Sequence, residues 1–238
     1  MLQITDLSCG YRDMTVLRDI NFELGEGGTL ALVGSNGAGK TTLLMSIAGH
    51  IIPKSGQVRL SGVDLVNTEP EKRCGLGVGL VPEGRRIFPD LSVFENLVVG
   101  GYSRPSNKQS ENMARVVDIF PRLFDRKNQL AGSLSGGEQQ MLAFGRAIMS
   151  DPNLMLVDEL SLGLMPSVVD ECYDALGKLV KKGIAVILVD QNSDAAMDFC
   201  SSSLILETGN QLWHGTVSYT HLRAHETLRY LVCRLLLE

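Results

Sequence analysis

Three short stretches of the chain are almost continuously apolar, and they stand far apart in the sequence. They read TLALVG, LMLVDE and AVILVD, at Thr29–Gly34, Leu154–Glu159 and Ala185–Asp190. Such runs are typical of central parallel strands that are covered by helices on both faces. Segments with helical spacing follow these runs, at Thr42–Ala48, Val168–Lys182 and Ser193–Phe199. This alternation predicts an α/β domain with a parallel sheet.

Two other regions have a different pattern. Near the N-terminus, LQITDLS and INFEL alternate apolar and polar residues, which predicts an antiparallel β subdomain. From about residue 88 to 150 we find no strand pattern, but a capping box at Ser92 and Glu95 and helical spacing in ENMARVVDIFPRLF. We expect this region to be a helical subdomain inserted into one domain that spans residues 1–216.

The composition argues against several classes of function but does not indicate one. The 238 residues are 44% hydrophobic and 21% charged, and the formal net charge of −5 offers no broad basic surface for nucleic acid. The N-terminus lacks the layout of a signal peptide, and no apolar run approaches the length of a membrane span. The five cysteines form no CxxC pair, so we expect neither a zinc site nor a disulfide framework.

Residues 217–238 are set aside from the fold. The stretches VSYTHLRAHET and LVCRLLLE are similar to translated sequencing adapter, and the alternative is a genuine amphipathic C-terminal helix. If the segment is an adapter, the genuine C-terminus is missing.

A phosphate-binding loop follows the first buried run. The stretch GSNGAGKTT fits the pattern G-x-x-x-x-G-K-[ST] between a strand and a helix. Backbone amides of such a loop surround phosphate, the lysine reaches the β and γ oxygens, and the first threonine offers its hydroxyl to Mg²⁺. The alternative is a glycine-rich turn with a solvated lysine. The candidate residues are Gly34, Ser35, Asn36, Gly37, Ala38, Gly39, Lys40, Thr41 and Thr42.

Two adjacent carboxylates end the second buried run. Asp158 stands where a carboxylate would hold Mg²⁺ directly or through water, and Glu159 could orient and deprotonate the attacking water. An acidic pair that faces solvent at the end of a strand is the alternative. Beside the phosphate loop, the pair instead predicts a site for hydrolysis of a nucleotide.

The stretch SLSGGEQQM predicts a second anion site. Ser135 and the bare amides of Gly136 and Gly137 would stand at the start of a helix, where partial positive charge favours anions. Lys40 already addresses the γ-phosphate of one nucleotide. The second site therefore binds another anion or caps ATP that is held by another chain.

These motifs together resemble the ATP-binding cassette (ABC) ATPases across residues 1–216, and Ser135-Gly136-Gly137-Glu138-Gln139 matches the signature of that family. The resemblance implies a RecA-like P-loop NTPase core. It also implies that two cassettes meet head to tail, so that the signature of one covers the ATP of the other. By the same resemblance, Tyr11 stacks on adenine with Val16 alongside, and the loop at Ser161–Pro166 contacts the opposite cassette.

Three positions depart from the usual pattern of the family. Leu160 replaces the proline after the acidic pair, Glu83 replaces a glutamine that contacts Mg²⁺, and Gln191 replaces a histidine. A glutamine amide can hydrogen-bond a γ-phosphate oxygen but cannot become cationic, so we expect Glu159 to act as the base. The combination is similar to the ATPase subunits of branched-chain amino acid importers (the LivF type), with urea/amide importer ATPases as near relatives.

The resemblance implies a transport motor with ATP and Mg²⁺ as cofactors. Its expected partners are a second ABC ATPase subunit, identical or related, transmembrane permease subunits and, indirectly, a solute-binding protein. Arg85, Arg86 and Phe88 are candidates for contact with a permease at the cytoplasmic face of a bacterial or archaeal membrane. An ABC ATPase that acts as a switch on ribosomes or DNA is an alternative, although such proteins usually carry two cassettes or a coiled-coil insertion. A P-loop kinase would leave the signature unexplained.

Overall fold

The computed structural model describes residues 1–217, which form one mixed sheet of ten strands with eight α-helices. The strands are β1 (Leu2–Tyr11), β2 (Met14–Leu24), β3 (Thr29–Val33), β4 (Ser55–Leu60), β5 (Val63–Asp64), β6 (Val78–Val81), β7 (Leu154–Asp158), β8 (Ala185–Val189), β9 (Ser202–Glu207) and β10 (Asn210–Thr216). Their order across the sheet is β5-β4-β1-β2-β10-β9-β3-β8-β7-β6.

The helices carry the remaining regular structure. They are α1 (Lys40–Ala48), α2 (Pro70–Gly75), α3 (Val93–Gly100), α4 (Ser106–Ile119), α5 (Pro121–Asp125), α6 (Gly136–Met149), α7 (Pro166–Val180) and α8 (Ser193–Phe199), with a 3-10 turn at Ala131–Ser133. Two helices begin two residues earlier than the pattern predicts. Pro166 starts α7 because a proline at the first helical position loses no hydrogen bond. None of these helices is long and apolar enough to cross a membrane.

The three apolar runs form adjacent parallel strands, as predicted. β3 pairs with β8, β8 with β7 and β7 with β6, and every residue of β3, β7 and β8 is buried. Along β7, Met155 packs into one hydrophobic core while Leu154 and Leu156 pack into the other. This alternation places a core on each face of the sheet, which explains the nearly continuous apolar sequence.

The antiparallel strands continue the same sheet. β1 pairs with β2 and with β4 in antiparallel register, and β10 meets β2 at one parallel pair, Arg18 with Asn210. The expected antiparallel region is therefore joined edge to edge to the parallel strands. This junction brings the turn between β1 and β2 near the loop that follows β3.

Helices α3 to α6 occupy residues 93–149. The capping box at Ser92 forms as expected: its hydroxyl accepts from the Glu95 amide at 3.2 Å, and Glu95 accepts from the Ser92 amide at 2.8 Å. Gly145 lets α3 and α6 approach closely, because an added Cβ would lie 2.7 Å from Leu97 Cδ2. The helix that begins at the signature is thereby packed against α3 and leads directly toward β7.

The predicted adapter segment, apart from Val217, lies outside the described residues.

Candidate nucleotide site

The glycine-rich loop turns from β3 into α1. Gly37 and Gly39 have φ values of +82° and +106°, where side chains are strained, and an added Cβ at Gly39 would lie 2.5 Å from Leu17 Cδ2. Lys40 Nζ donates to the carbonyl oxygens of Gly34 at 2.7 Å and Ser35 at 3.0 Å. Burial lowers the pKa of Lys40. The ammonium group is therefore folded over the loop, where an arriving phosphate can replace the carbonyl oxygens.

The end of β7 brings Asp158 against the first turn of α1. Thr41 Oγ1 donates to Asp158 Oδ1 at 3.2 Å, whereas the buried Asp158 Oδ2 and Glu159 Oε2 have no hydrogen-bond partner within residues 1–217. Burial raises the pKa of both carboxyl groups, and the charge of Asp158 raises that of Glu159 further. Two unpartnered carboxylate oxygens beside a hydroxyl are suited to a hard cation that brings additional oxygen ligands.

No group of three or more His, Cys, Asp or Glu among residues 1–217 could hold a metal by itself. This arrangement fits Mg²⁺ bound with a nucleotide, because phosphate oxygens and waters would supply the remaining ligands. Thr41 and Asp158 are the residues that would hold it, and Glu83 lines the same cleft.

A cleft of about 480 Å³ connects these groups. It brings together most of the predicted site residues from loops that are distant in the sequence. Its lining comprises Tyr11, Met14, Val16, Asn36, Gly37, Gly39, Lys40, Thr41, Thr42, Glu83, Glu159 and Gln191. Met14 was missed at the sequence level, although its place between Tyr11 and Val16 in the first turn could have indicated it. Four predicted residues of the phosphate loop and the acidic pair lie outside the lining: Gly34, Ser35, Ala38 and Asp158. Of these, Ala38 and Asp158 are buried.

The signature residues form a separate site. Ser135 caps α6: its hydroxyl accepts from the Glu138 amide at 3.4 Å, while Glu138 Oε2 accepts from the Ser135 amide at 2.9 Å. Burial alone would raise the pKa of Glu138. The Ser135 amide and hydroxyl, which both donate to Oε2, and Arg126, whose Nε lies 3.0 Å from Oε1, lower it. Within the described chain, Ser135, Gly136, Gly137 and Glu138 do not line the cleft. The capping box holds the start of α6 in place without the nucleotide site of the same chain.

The loop after β6 links the cleft to α6. Arg85 and Arg86 adopt positive φ values of +66° and +46°, and Arg85 Nη1 donates to Gln139 Oε1 at 3.2 Å. Arg146 of α6 donates to the Arg86 carbonyl oxygen at 2.6 Å, and its guanidinium stands 4.5 Å from the ring centre of Phe88. The loop after β6 therefore contacts α6, the helix that begins at the signature, near both of its ends.

The sheet order, the loop from β3 to α1 and the acidic end of β7 together define a P-loop NTPase. The model of the ABC transporter family matches residues 17–161. The chain belongs to the ABC transporter family, and it is an ATP-binding ATPase of that family.

Relatives of known name cover nearly the full chain. It is 40% identical over 216 residues to the high-affinity branched-chain amino acid transport ATP-binding protein BraG of Pseudomonas aeruginosa, covering 91% of this chain and 93% of that protein. It is 33% identical over 227 residues to the probable branched-chain amino acid transport ATP-binding protein LivF of Archaeoglobus fulgidus, covering 95% of both.

Solved structures share the fold. An ATP-binding subunit of an ABC transporter matches with a TM-score of 0.86 at 26% identity, covering 99% of both chains. A dimeric ATP-binding cassette, in a post-hydrolysis state bound to ADP and Pi, matches with a TM-score of 0.78 at 21% identity, covering 91% of this chain and 99% of that chain.

Proposed function

We propose that this chain is the ATP-hydrolysing subunit of an importer for branched-chain amino acids. The observation that carries the hydrolytic role is a pair of buried oxygens, on Asp158 and Glu159, that have no hydrogen-bond partner within residues 1–217 and lie beside the lysine of the phosphate loop. The cargo class rests on the 40% identity to a protein named for branched-chain amino acid transport and on the sequence features of that branch.

Most residues of the cleft have a role in this proposal. The loop amides and Lys40 bind the phosphates, Tyr11 and Val16 lie at the edge of the cleft for the adenine, and Gln191 can hydrogen-bond a γ-phosphate oxygen. Glu159 takes a proton from the attacking water, since its raised pKa makes it a better base than an ordinary carboxylate. Mg²⁺ held by Thr41 and Asp158 would neutralise part of the negative charge of the phosphates.

The separation of cleft and signature supports the head-to-tail pair. Ser135 is exposed at the start of α6 and lies outside the cleft, so the signature of a partner cassette would close over the nucleotide. Leu162 and Met165, in the loop that the resemblance assigns to the opposite cassette, are 42% and 69% exposed. Their burial in a pair would favour association.

A groove on another face of the chain suits a permease. It has a volume of about 320 Å³ and lies between α2, β6 and the helices α3 and α6; Arg85, Arg86, Val99 and Arg146 are among its lining residues. Phe88 is 43% exposed nearby. A short cytoplasmic helix of a permease would find apolar walls and cationic groups there, which supports a position of the chain at the cytoplasmic face of the membrane.

Transport in proteoliposomes tests the proposal. The chain would be reconstituted with its permeases and its partner ATPase, with a solute-binding protein and ATP supplied on the appropriate sides. We expect uptake of labelled leucine, isoleucine or valine that Glu159→Gln abolishes.

ATP-driven uptake of urea or an amide, without uptake of those amino acids, would contradict the cargo class. Association with ribosomes or DNA instead of permeases would contradict the transport role.

A further inference from the structure

Asp190 is a buried carboxylate at the end of β8, next to Gln191. It is 7% exposed, and no Lys or Arg among residues 1–217 forms an ion pair with it. Three donors hold it instead. Ser161 Oγ donates to Oδ1, the Asn192 amide donates to Oδ1 at 3.1 Å, and Tyr173 OH donates to Oδ2 at 3.1 Å.

These donors come from three segments that sheet pairing brings together. β7 and β8 are parallel neighbours, and the Glu159 amide donates to the Val189 carbonyl oxygen at 3.0 Å, so the loops that leave the two strands run side by side. Ser161 follows Glu159 by two residues. Tyr173 reaches the same point from α7, with its ring 5.4 Å from that of Phe199.

The bond to the Asn192 amide has a consequence for Gln191. A carboxylate that accepts from the amide two residues later closes a tight turn, so the residue between them cannot change its backbone direction freely. The side chain of Asp190 is itself fixed by the hydroxyls of Ser161 and Tyr173. A chain of hydrogen bonds therefore runs from these two hydroxyls through Asp190 to the Asn192 amide, and the turn it closes contains Gln191.

We propose that Asp190, held by Ser161 and Tyr173, is a positioning residue that orients Gln191 toward the γ-phosphate. This inference rests on the role proposed for Gln191 in the cleft. It also links that orientation to the loop Ser161–Pro166, which begins two residues after Glu159 and which the resemblance assigns to contact with the opposite cassette. Small errors in the placement of a group that contacts the reacting phosphate lower the rate more than the affinity.

Steady-state ATP hydrolysis by the chain, assembled with its partner ATPase, tests the inference. We expect Ser161→Ala and Tyr173→Phe each to lower kcat about tenfold, while KM for ATP stays within about twofold of the wild type. Ser161→Thr retains a hydroxyl and should restore most of kcat. Phe199→Leu is the matched control: it removes the ring contact of Tyr173 but keeps the hydroxyl, and it should leave kcat unchanged.

A double variant of Ser161→Ala and Gln191→Ala tests whether Ser161 affects kcat through Gln191. If Ser161 acts through Asp190 on Gln191, then Ser161→Ala should lower kcat little further in the Gln191→Ala background. Additive losses would overturn the inference, as would a wild-type kcat in both hydroxyl variants while Gln191→Ala is slow. A wild-type rate for Gln191→Ala itself would instead refute the proposed role of Gln191, whereas absence of hydrolysis in the wild type would refute the proposed function.

Discussion

Asp158 and Glu159, the carboxylates of the proposed catalytic site, lower the stability of the nucleotide-free chain. One oxygen of each is buried without a hydrogen-bond partner among residues 1–217, and burial raises the pKa of both. A buried polar atom without a partner costs about 1–3 kcal/mol, and more when charged. A nucleotide with its cation would relieve that cost, which couples binding to stability.

Replacement of Asp158 by asparagine should therefore stabilise the nucleotide-free protein by about 1 kcal/mol at neutral pH. A raised pKa means that the native state binds the proton more tightly than the unfolded chain does. The contribution of the protonated group to stability is complete below the ordinary value of 3.8 and is lost as the pH rises through the native value. Urea unfolding at several pH values would show the advantage of the variant growing from acid to neutral pH.

The exposed Asp125→Asn is the control for that experiment, because it removes the same charge without changing a buried site. An equal gain in both variants, or a destabilised Asp158→Asn protein, would contradict the explanation.

Glu159→Gln should lower kcat for ATP hydrolysis at least about 100-fold, because an amide cannot accept the proton of the attacking water. Nucleotide binding, measured by calorimetry, should persist. Glu83→Gln is the matched change, since it creates the glutamine that the family usually carries, and we expect it to keep the rate within a few-fold of the wild type. Rapid hydrolysis by Glu159→Gln would assign the base to another residue.

At the scale of elements, two helices begin with the same device. Ser92 and Glu95 cap α3, while Ser135 and Glu138 cap α6, with similar hydrogen bonds in both boxes. Among the described residues, neither Ser92 nor Glu95 of the first box lines the nucleotide cleft. This box therefore separates the contribution of a serine cap to stability from the contribution of the signature to catalysis.

Ser92→Ala and Ser135→Ala should each lower the free energy of unfolding by about 1 kcal/mol. Only Ser135→Ala should also lower ATP hydrolysis, by about tenfold, because its hydroxyl would face the nucleotide of the partner cassette. Chemical denaturation and steady-state kinetics on both variants measure the two effects. If both variants lose activity equally, a loss of stability explains the result and the trans role of Ser135 is wrong.

At the scale of the whole molecule, a buried arginine joins elements that are distant in the sequence. Arg73 of α2 is 1% exposed, and it donates to the carbonyl oxygens of Ser46 and Ile47 at the end of α1 and to those of Val66 and Thr68. It forms no ion pair among residues 1–217. The same α2 borders the proposed permease groove, so Arg73 connects this groove to the helix that begins at Lys40.

Arg73→Met should lower the free energy of unfolding by about 3 kcal/mol, since it removes four hydrogen bonds to carbonyl oxygens, two of them buried. Arg73→Lys should recover little of this loss, because an ammonium cannot reproduce the planar fork of the guanidinium. The exposed Arg59→Met serves as the control and should change stability by less than about 0.5 kcal/mol. Thermal unfolding of the three variants measures the differences, and a near-neutral Arg73→Met would contradict the bridging role.

The sequence by itself determined the central strands and the contiguous motifs, whose signals are local. The apolar runs predicted β3, β7 and β8, because strands buried on both faces need apolar residues throughout. The phosphate loop, the acidic pair and the signature could be recognised because each is contiguous, and their chemistry depends on neighbouring backbone groups. The capping box at Ser92 was predicted for the same reason.

Only the tertiary structure decided which distant groups meet. It placed Met14 in the cleft, Arg73 under the end of α1, and Ser161 and Tyr173 on Asp190, with partners 29 and 17 residues away. Sequence periodicity does not predict such contacts, because they depend on strand order and on the packing of helices over the sheet. Sequence spacing thus defined the individual parts of the nucleotide site, and the pairing of strands set the distances between them.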